Sequence, residues 1–146
     1  MYYLGYDLGS SSIKISIVCS ETGRNIHTLN EPSTEMEIIS IKNDWAEQDP
    51  ETWWKHICNG TKRVLKESKI NNKEIISIGI SYQMHGLVII DKKGKSLRNS
   101  IIWCDSRAVE IGNNAYHDIG AVKCSNNLLN SPGNFTASKL KWVKEN

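Results

Sequence analysis

The opening of the sequence constrains the fold most strongly, because two apolar runs are separated by only a few small residues. The first run delivers a single carboxylate, Asp7, and the second extends from Ile13 to Cys19. The residues between them are glycine and serine, which is typical of a tight turn between two strands. A third run, about Asn25–Asn30, follows the turn at Glu21–Gly23. The pattern predicts an antiparallel meander of three strands at the start of the chain.

The rest of the sequence alternates between helical and strand patterns. A helix is predicted to begin at Pro50, which suits the first helical position, with Asp49 as its cap. The tryptophans near this point are predicted to pack the helix onto the sheet, and the inward face of the helix is predicted to carry Trp53, Trp54, Ile57, Val64 and Leu65. Further strands are predicted over Ile75–Ser81, Gly86–Asp91 and Ile101–Trp103, a helix from near Ser106, and a last helix over about Thr136–Glu145 with Leu140 and Val143 inward. This order predicts an α/β domain whose mixed sheet is flanked by helices.

Composition and charge exclude several classes of function. The chain has 146 residues, 39% of them hydrophobic, and a formal net charge of +2. This length suits one domain, no apolar run is long enough to span a membrane, and no basic stripe predicts nucleic-acid binding. The four cysteines are scattered, without a Cys-x-x-Cys pair, which is typical of a reducing compartment. We therefore expect a cytoplasmic protein that binds neither nucleic acid nor a membrane.

The first cluster of residues suited to ligand binding surrounds the opening turn. Asp7 can hold a magnesium ion through its water shell, while the backbone and hydroxyl groups of Gly9, Ser10 and Ser11 can face phosphate oxygens. Lys14 returns along the second strand toward the same anion. The alternative is an ordinary hairpin turn that Asp7 merely caps.

Two further clusters follow apolar runs. Gln83, Met84 and His85 combine an amide and an imidazole that can hydrogen-bond several hydroxyl groups of a sugar, or they form a turn in which His85 bonds the backbone. Trp103 and Asp105 offer an apolar wall and a carboxylate acceptor, or else a core tryptophan and a helix cap. Because ligands collect at strand ends in open α/β sheets, the three clusters are expected to line one crevice.

The clusters together resemble one protein family. The segments that carry the resemblance are Tyr6-Asp7-Leu8-Gly9-Ser10-Ser11, Trp45-Ala46-Glu47-Gln48-Asp49-Pro50, Gly79-Ile80-Ser81-Tyr82-Gln83-Met84-His85-Gly86 and Ile102-Trp103-Cys104-Asp105-Ser106-Arg107. In this order they are similar to the N-terminal domain of the FGGY carbohydrate kinases, and within that family to the xylulokinases, for which Gln-Met-His-Gly is the discriminating segment.

The resemblance implies a ribonuclease H-like domain of the actin and sugar-kinase superfamily, with ATP and Mg²⁺ as cofactors. It implies that the parent enzyme transfers the γ-phosphoryl group of ATP to a ketopentose, converting D-xylulose to D-xylulose 5-phosphate. Asp7 would organise the magnesium ion, and Gly9, Ser10, Ser11 and Lys14 would lie near the transferred phosphate. Sugar contacts would come from Gln83, Met84, His85, Trp103 and Asp105.

The resemblance also implies that residues 1–146 are the N-terminal part of the first domain of a longer kinase. The second domain and the catalytic base would then lie outside this chain, and the truncated chain alone would be inactive. Apolar surface left uncovered favours self-association, with a homodimer as its simplest form. The alternatives are another kinase of the family, acting on ribulose, gluconate or glycerol, and a non-catalytic actin-like or sugar-binding module.

Overall fold

The computed structural model describes all 146 residues, and the chain divides into two compact units. The first unit comprises residues Met1–Glu37 and Pro50–Gln83, and the second comprises Ile38–Asp49 and Met84–Asn146. Each unit is described separately below.

The first unit is a mixed sheet with one long helix. Its elements are β1 (Tyr2–Leu8), β2 (Ile13–Cys19), β3 (Asn25–Glu31), α1 (Pro50–Ser68) and β5 (Ile75–Tyr82), with a short 3₁₀ turn at Asn72–Glu74 before β5. The sheet order is β3-β2-β1-β5; β1, β2 and β3 are antiparallel, and β5 runs parallel to β1. The predicted meander, the start of α1 at Pro50 and the strand at Ile75 are confirmed.

The core of the first unit lies between α1 and one face of the sheet. Side chains alternate across a strand, and Ile13, Ile15 and Ile17 of β2 are fully buried on the side that α1 covers. Val64 of α1 is buried against them, with Leu4 of β1 also in the cluster. The period-2 pattern of β2 therefore fixes which face of the sheet the helix covers.

One residue of the predicted inward face of α1 lies elsewhere. Trp54 is 62% exposed, whereas Trp53, Ile57 and Leu65 pack against the core. The prediction for Trp54 is wrong because the apolar stripe of α1 is narrower than the tryptophan pair suggested. The indole instead lines a groove of about 430 Å³ beside α1, together with Tyr6, Ile57 and Ile80.

Strand β5 forms the uncovered edge of the sheet. Its side chains Ile76, Ile78, Ile80 and Tyr82 follow one another at period 2, and all four are exposed, Ile80 by 64%. A parallel strand of this composition is normally buried on both faces. An unpaired, apolar edge of this kind is a template for pairing with a second chain.

We expect the 146-residue chain in isolation to self-associate through β5, as a homodimer or a larger species. Replacement of Ile80 by lysine is expected to shift the distribution toward monomer, because a charge on an edge strand opposes edge-to-edge pairing. Sedimentation velocity over a concentration series measures this. The matched control is replacement of Val122, which is 75% exposed in the second unit, by lysine as well. A wild-type chain that stays monomeric at high concentration contradicts the expectation.

The second unit is mainly helical. It contains β4 (Glu47–Gln48), β6 (Ser100–Ile101), α2 (Val109–Ile119), α3 (Ala121–Leu128), a 3₁₀ turn at Pro132–Asn134 and α4 (Thr136–Glu145). Strands β4 and β6 pair antiparallel as a two-stranded sheet. None of the helices in the structure has the length and apolar character needed to cross a bilayer.

Three expectations for the second unit need correction. Gly86–Asp91 forms no continuous strand, only isolated bridges, because Leu87 pairs with Ile101 whereas Ile90 pairs with Ser96 in a different segment. The helix predicted near Ser106 begins at Val109. Helix α4 has the predicted bounds, but Leu140 is 52% exposed and the buried positions are Ser138 and Lys139.

Candidate functional site

Asp7 lies at the carboxyl end of β1 on the sheet face opposite α1. Its neighbour Tyr6 points into the core and is 8% exposed, so alternation turns Asp7 outward, where it is exposed. Across the sheet, Asp7 is registered opposite Lys14 of β2 and Ser81 of β5. Neither Asp7 nor Lys14 forms an ion pair with another side chain of this chain. Both charges are therefore available to a ligand.

The turn that follows Asp7 is closed by the backbone of Gly9. The Gly9 amide donates to the carbonyl oxygens of Asp7 and Ser12, at 3.2 and 3.1 Å. A Cβ atom at Gly9 would lie 3.0 Å from the Ser12 carbonyl oxygen, so a larger residue would require this turn to shift. Ser11 is exposed and Ser10 half-buried, so the loop presents hydroxyl groups beside the carboxylate.

Gln83 joins this end of the sheet because β5 is parallel to β1. The carboxyl ends of parallel strands meet at one edge, and here the Gln83 amide donates to the Leu8 carbonyl oxygen at 3.0 Å. The side-chain oxygen of Gln83 is buried and has no hydrogen-bond partner. A buried acceptor without a partner is unusual in a folded protein, and this one lies at the same end of the sheet as Asp7.

The residues at this edge fit a magnesium ion that keeps its water shell. No group of three or more His, Cys, Asp or Glu side chains in the structure is placed to hold a metal directly. Mg²⁺ usually retains several waters and binds proteins through one or two carboxylates together with substrate phosphates. A single exposed carboxylate without an ion-pair partner, as at Asp7, matches that pattern.

In the second unit, two loops are joined by a short bridge. The Leu87 amide donates to the Ile101 carbonyl oxygen at 2.9 Å, and the Ile101 amide donates to the Leu87 carbonyl oxygen at 3.1 Å. This bridge ties the loop that contains Met84 and His85 to the loop that contains Trp103. Met84 is 65% exposed and Trp103 47% exposed, whereas His85 is half-buried. Apolar side chains exposed beside an imidazole suit the mixed apolar and hydroxyl surface of a sugar.

Asp105 is placed differently from the other predicted sugar contacts. It is 1% exposed, and its Oδ2 accepts hydrogen bonds from the Ala46 amide and from Arg107 Nη2, both at 2.6 Å. Its Oδ1 accepts from the amide and Nε of Arg107, at 3.0 and 2.9 Å. Both oxygens are thus occupied within the chain, which favours a role in holding the loop after Trp103.

The guanidinium group of Arg107 is the centre of this buried network. Its side chain is 1% exposed, and Nη1 bonds Glu47 Oε1 at 2.7 Å while Nη2 bonds Asp105. The guanidinium carbon lies 3.7 Å from the centre of the Trp45 ring and 5.1 Å from that of Trp142, and the two indoles contact each other edge to face. Two carboxylates and two aromatic faces satisfy one cation, as buried ion pairs require. The network joins β4, the Trp103 loop and α4.

Sequence reasoning missed Lys139, which is fully buried. Its Nζ donates to the carbonyl oxygens of His85 and Asn134, at 2.9 and 3.3 Å. Burial is the main cause that lowers the pKa of Lys139 from its ordinary value. Because lysine is almost always exposed, no pattern in the sequence marked it.

A profile of the N-terminal domain of the FGGY family of carbohydrate kinases matches residues 2–146. The chain belongs to the FGGY family. This FGGY domain is 33% identical to a xylulose kinase from Staphylococcus epidermidis over 142 residues. The matched region is 97% of this chain and 27% of the relative. The domain is 30% identical over 145 residues to a glycerol kinase from Thermococcus gammatolerans, covering 99% and 29%.

A solved structure supports the fold of the FGGY domain. The crystal structure of a xyloylose kinase from Brucella ovis superposes with a TM-score of 0.86 at 30% identity, over 100% of this chain and 30% of that chain. The expected actin-like, ribonuclease H-like α/β fold and the resemblance to the FGGY family are therefore confirmed. The chain spans little more than a quarter of the length of the curated relatives described above.

Proposed function

We propose that this chain is the N-terminal part of the first domain of a xylulokinase-like enzyme, which transfers the γ-phosphoryl group of ATP to D-xylulose. The observation that carries the proposal is the unpaired carboxylate of Asp7, beside Lys14 and a glycine-serine turn, where β1 and the parallel β5 end. The identity to the S. epidermidis xylulose kinase supports the choice of sugar. We place this activity in the cytoplasm.

The first unit is assigned to the phosphate side of the reaction. Phosphoryl transfer depends on positioning and on neutralising charge rather than on covalent chemistry by the protein. The backbone of Gly9 and the hydroxyl groups of Ser10 and Ser11 would orient the transferred phosphate, while the ammonium of Lys14 would offset its charge. Asp7 would hold the water shell of Mg²⁺, which supplies further neutralisation of the phosphates when it is bound.

The second unit is assigned to the sugar. Met84 and Trp103 would pack on the apolar face of the sugar, and His85 would hydrogen-bond its hydroxyl groups, with Gln83 preceding them in the chain. Asp105 would act through Arg107 and Ala46, by fixing the loop on which Trp103 lies. Because no residue of this chain is assigned as the base that deprotonates the sugar, we propose that the base belongs to a further domain.

Steady-state assays compare the activity of the full-length enzyme with that of the 146-residue chain. The full-length enzyme is expected to couple ATP consumption to phosphorylation of D-xylulose, and the 146-residue chain is expected to show no turnover. A panel of D-xylulose, ribulose, gluconate and glycerol separates the proposed substrate from those of other FGGY kinases. The glycerol kinase relative makes glycerol the second candidate. Turnover by the isolated chain near the full-length rate would show that it is complete as a catalyst.

Replacement of Trp103 by alanine in the full-length enzyme is expected to raise the KM for D-xylulose by about tenfold, because an indole of this size contributes apolar contact to a sugar ring. The KM for ATP is expected to change less than twofold. Trp54→Ala is the matched control, since that indole is also exposed but lies in the first unit. An unchanged KM for D-xylulose in Trp103→Ala contradicts the assignment of this loop.

A further inference from the structure

The ammonium group of Lys139 is buried without a carboxylate partner. The side chain is fully buried, and Nζ is held by two backbone carbonyl oxygens, those of His85 at 2.9 Å and Asn134 at 3.3 Å. No ion pair to Lys139 is present in the structure. Burying a cation is expensive unless its hydrogen bonds are made. The geometry therefore favours a specific task for this lysine over general packing.

The residue that Lys139 holds has an unusual backbone conformation. His85 has a φ of 61°, in the left-handed region that residues with a side chain rarely adopt. Its imidazole is stacked on the ring of Phe135, with centroids 4.7 Å apart and an interplanar angle of 16°. A strained residue keeps such a conformation only when its surroundings determine it. At His85 these surroundings include the ring of Phe135 and the ammonium of Lys139.

Neighbouring residues of the same segment hold the adjacent loop carbonyls. The hydroxyl of Thr136 donates to the Gly86 carbonyl oxygen at 3.1 Å, and the side-chain amide of Asn134 donates to the Trp103 carbonyl oxygen. Together with Lys139, residues 134–139 thus hold backbone oxygens of both loops. Of the three donors to these carbonyls, Lys139 is the one whose side chain is fully buried, whereas Thr136 is exposed.

We propose that Lys139 is a positioning residue for sugar binding: by bridging the carbonyl oxygens of His85 and Asn134, it fixes the Met84–Gly86 loop in the conformation that receives the sugar. Lys139 itself does not touch the sugar. The kinetic part of the inference, the effect of Lys139 on the KM for the sugar, rests on the proposed function. The structural part, the effect of Lys139 on the conformation of His85, does not depend on it.

Lys139→Met in the full-length enzyme tests the kinetic part, since methionine keeps most of the side-chain volume and removes the donor. The KM for D-xylulose is expected to rise at least about tenfold, while the KM for ATP changes less than twofold. Lys141→Met on the same helix is the control, because Lys141 is exposed and bonds only Glu145. Lys139→Gln retains a side-chain donor and is expected to recover part of the affinity. If Lys139→Met does not fold, Lys139→Gln is measured alone and is expected to raise the KM for D-xylulose by a smaller factor, with no matching rise in the KM for ATP.

The spectrum of the histidine rings tests the structural part without any assay of activity. Stacking on Phe135 shifts the imidazole C–H resonances of His85, which Phe135→Leu identifies. In Lys139→Met, or Lys139→Gln if needed, this shift is expected to diminish, while the resonances of His27, His56 and His117 stay in place. An unchanged His85 signal, or equal rises in both KM values, overturns the inference. If wild-type enzyme phosphorylates no sugar, the proposed function fails and the His85 spectrum still decides the role of Lys139.

Discussion

Replacement of Asp7 by asparagine in the full-length enzyme is expected to lower kcat by about 100-fold or more. The substitution keeps the shape of the side chain and removes the charge that would organise Mg²⁺ and its waters around the transferred phosphate. Stability is expected to change by less than about 1 kcal/mol, because Asp7 is exposed and makes no ion pair. Stopped-time assays at saturating ATP and D-xylulose measure kcat, and thermal unfolding confirms that the variant is folded.

Two comparisons make this result specific. Asp118→Asn changes the charge by the same amount on the exposed surface of α2, and is expected to leave kcat unchanged. Raising the Mg²⁺ concentration is expected to recover part of the activity of Asp7→Asn if the loss comes from metal affinity. A kcat within threefold of the wild type at ordinary Mg²⁺ would remove Asp7 from the catalytic machinery and, with it, the basis for the phosphate site in the first unit.

Replacement of Arg107 by methionine is expected to destabilise the chain by about 3–5 kcal/mol. The substitution leaves Asp105 and Glu47, which are buried at 1% and 5% exposure, without the cation that satisfies them, and this is the costly way to break a buried ion pair. The cation–π contacts of the guanidinium group with Trp45 and Trp142 are lost as well. Denaturant unfolding at low protein concentration, followed by tryptophan fluorescence, measures the free energy of unfolding.

Arg98 provides the matched control for Arg107. It bonds the same Glu47 oxygen, at 2.6 Å, but its side chain is 29% exposed. Arg98→Met leaves Arg107 in place, so we expect a loss of only about 1 kcal/mol. Equal losses of unfolding free energy in the two variants would mean that the buried network stabilises the chain no more than a surface ion pair does. Other contacts would then have to hold the Trp103 loop.

The first unit was largely predictable because its signals are local. The alternation in β2, the turn at Gly9–Ser12 and the proline that opens α1 each act over a few residues, and the strands and helix follow directly. What the sequence did not reveal is the second partner of β1, which pairs in parallel with β5 across a long stretch of chain. That pairing is what brings Gln83 to the end of β1.

The second unit was predicted less well because its structure depends on contacts that have no period. In α4 the apolar Leu140 suggested the inward face, yet the buried side chain beside it is Lys139, which tertiary hydrogen bonds hold in place. For the same reason Asp105 is recognisable from sequence as a polar residue near a tryptophan, but not as one whose oxygens Arg107 and Ala46 occupy. The resemblance to known kinases predicts that these loops bind the sugar. Burial in the structure adds that Met84 and Trp103 are exposed whereas Asp105 is not.

If His85 contacts the sugar as proposed, its left-handed backbone makes stability and sugar affinity compete at this one position. Glycine adopts this conformation without penalty, and asparagine does so more easily than most residues. Laboratory evolution that rewards heat tolerance alone should therefore drift toward glycine or asparagine here. Selection for growth on the sugar should instead keep histidine, because the proposed sugar contact needs the imidazole. Comparing the two sets of evolved variants would show whether thermal stability and sugar affinity compete at this position.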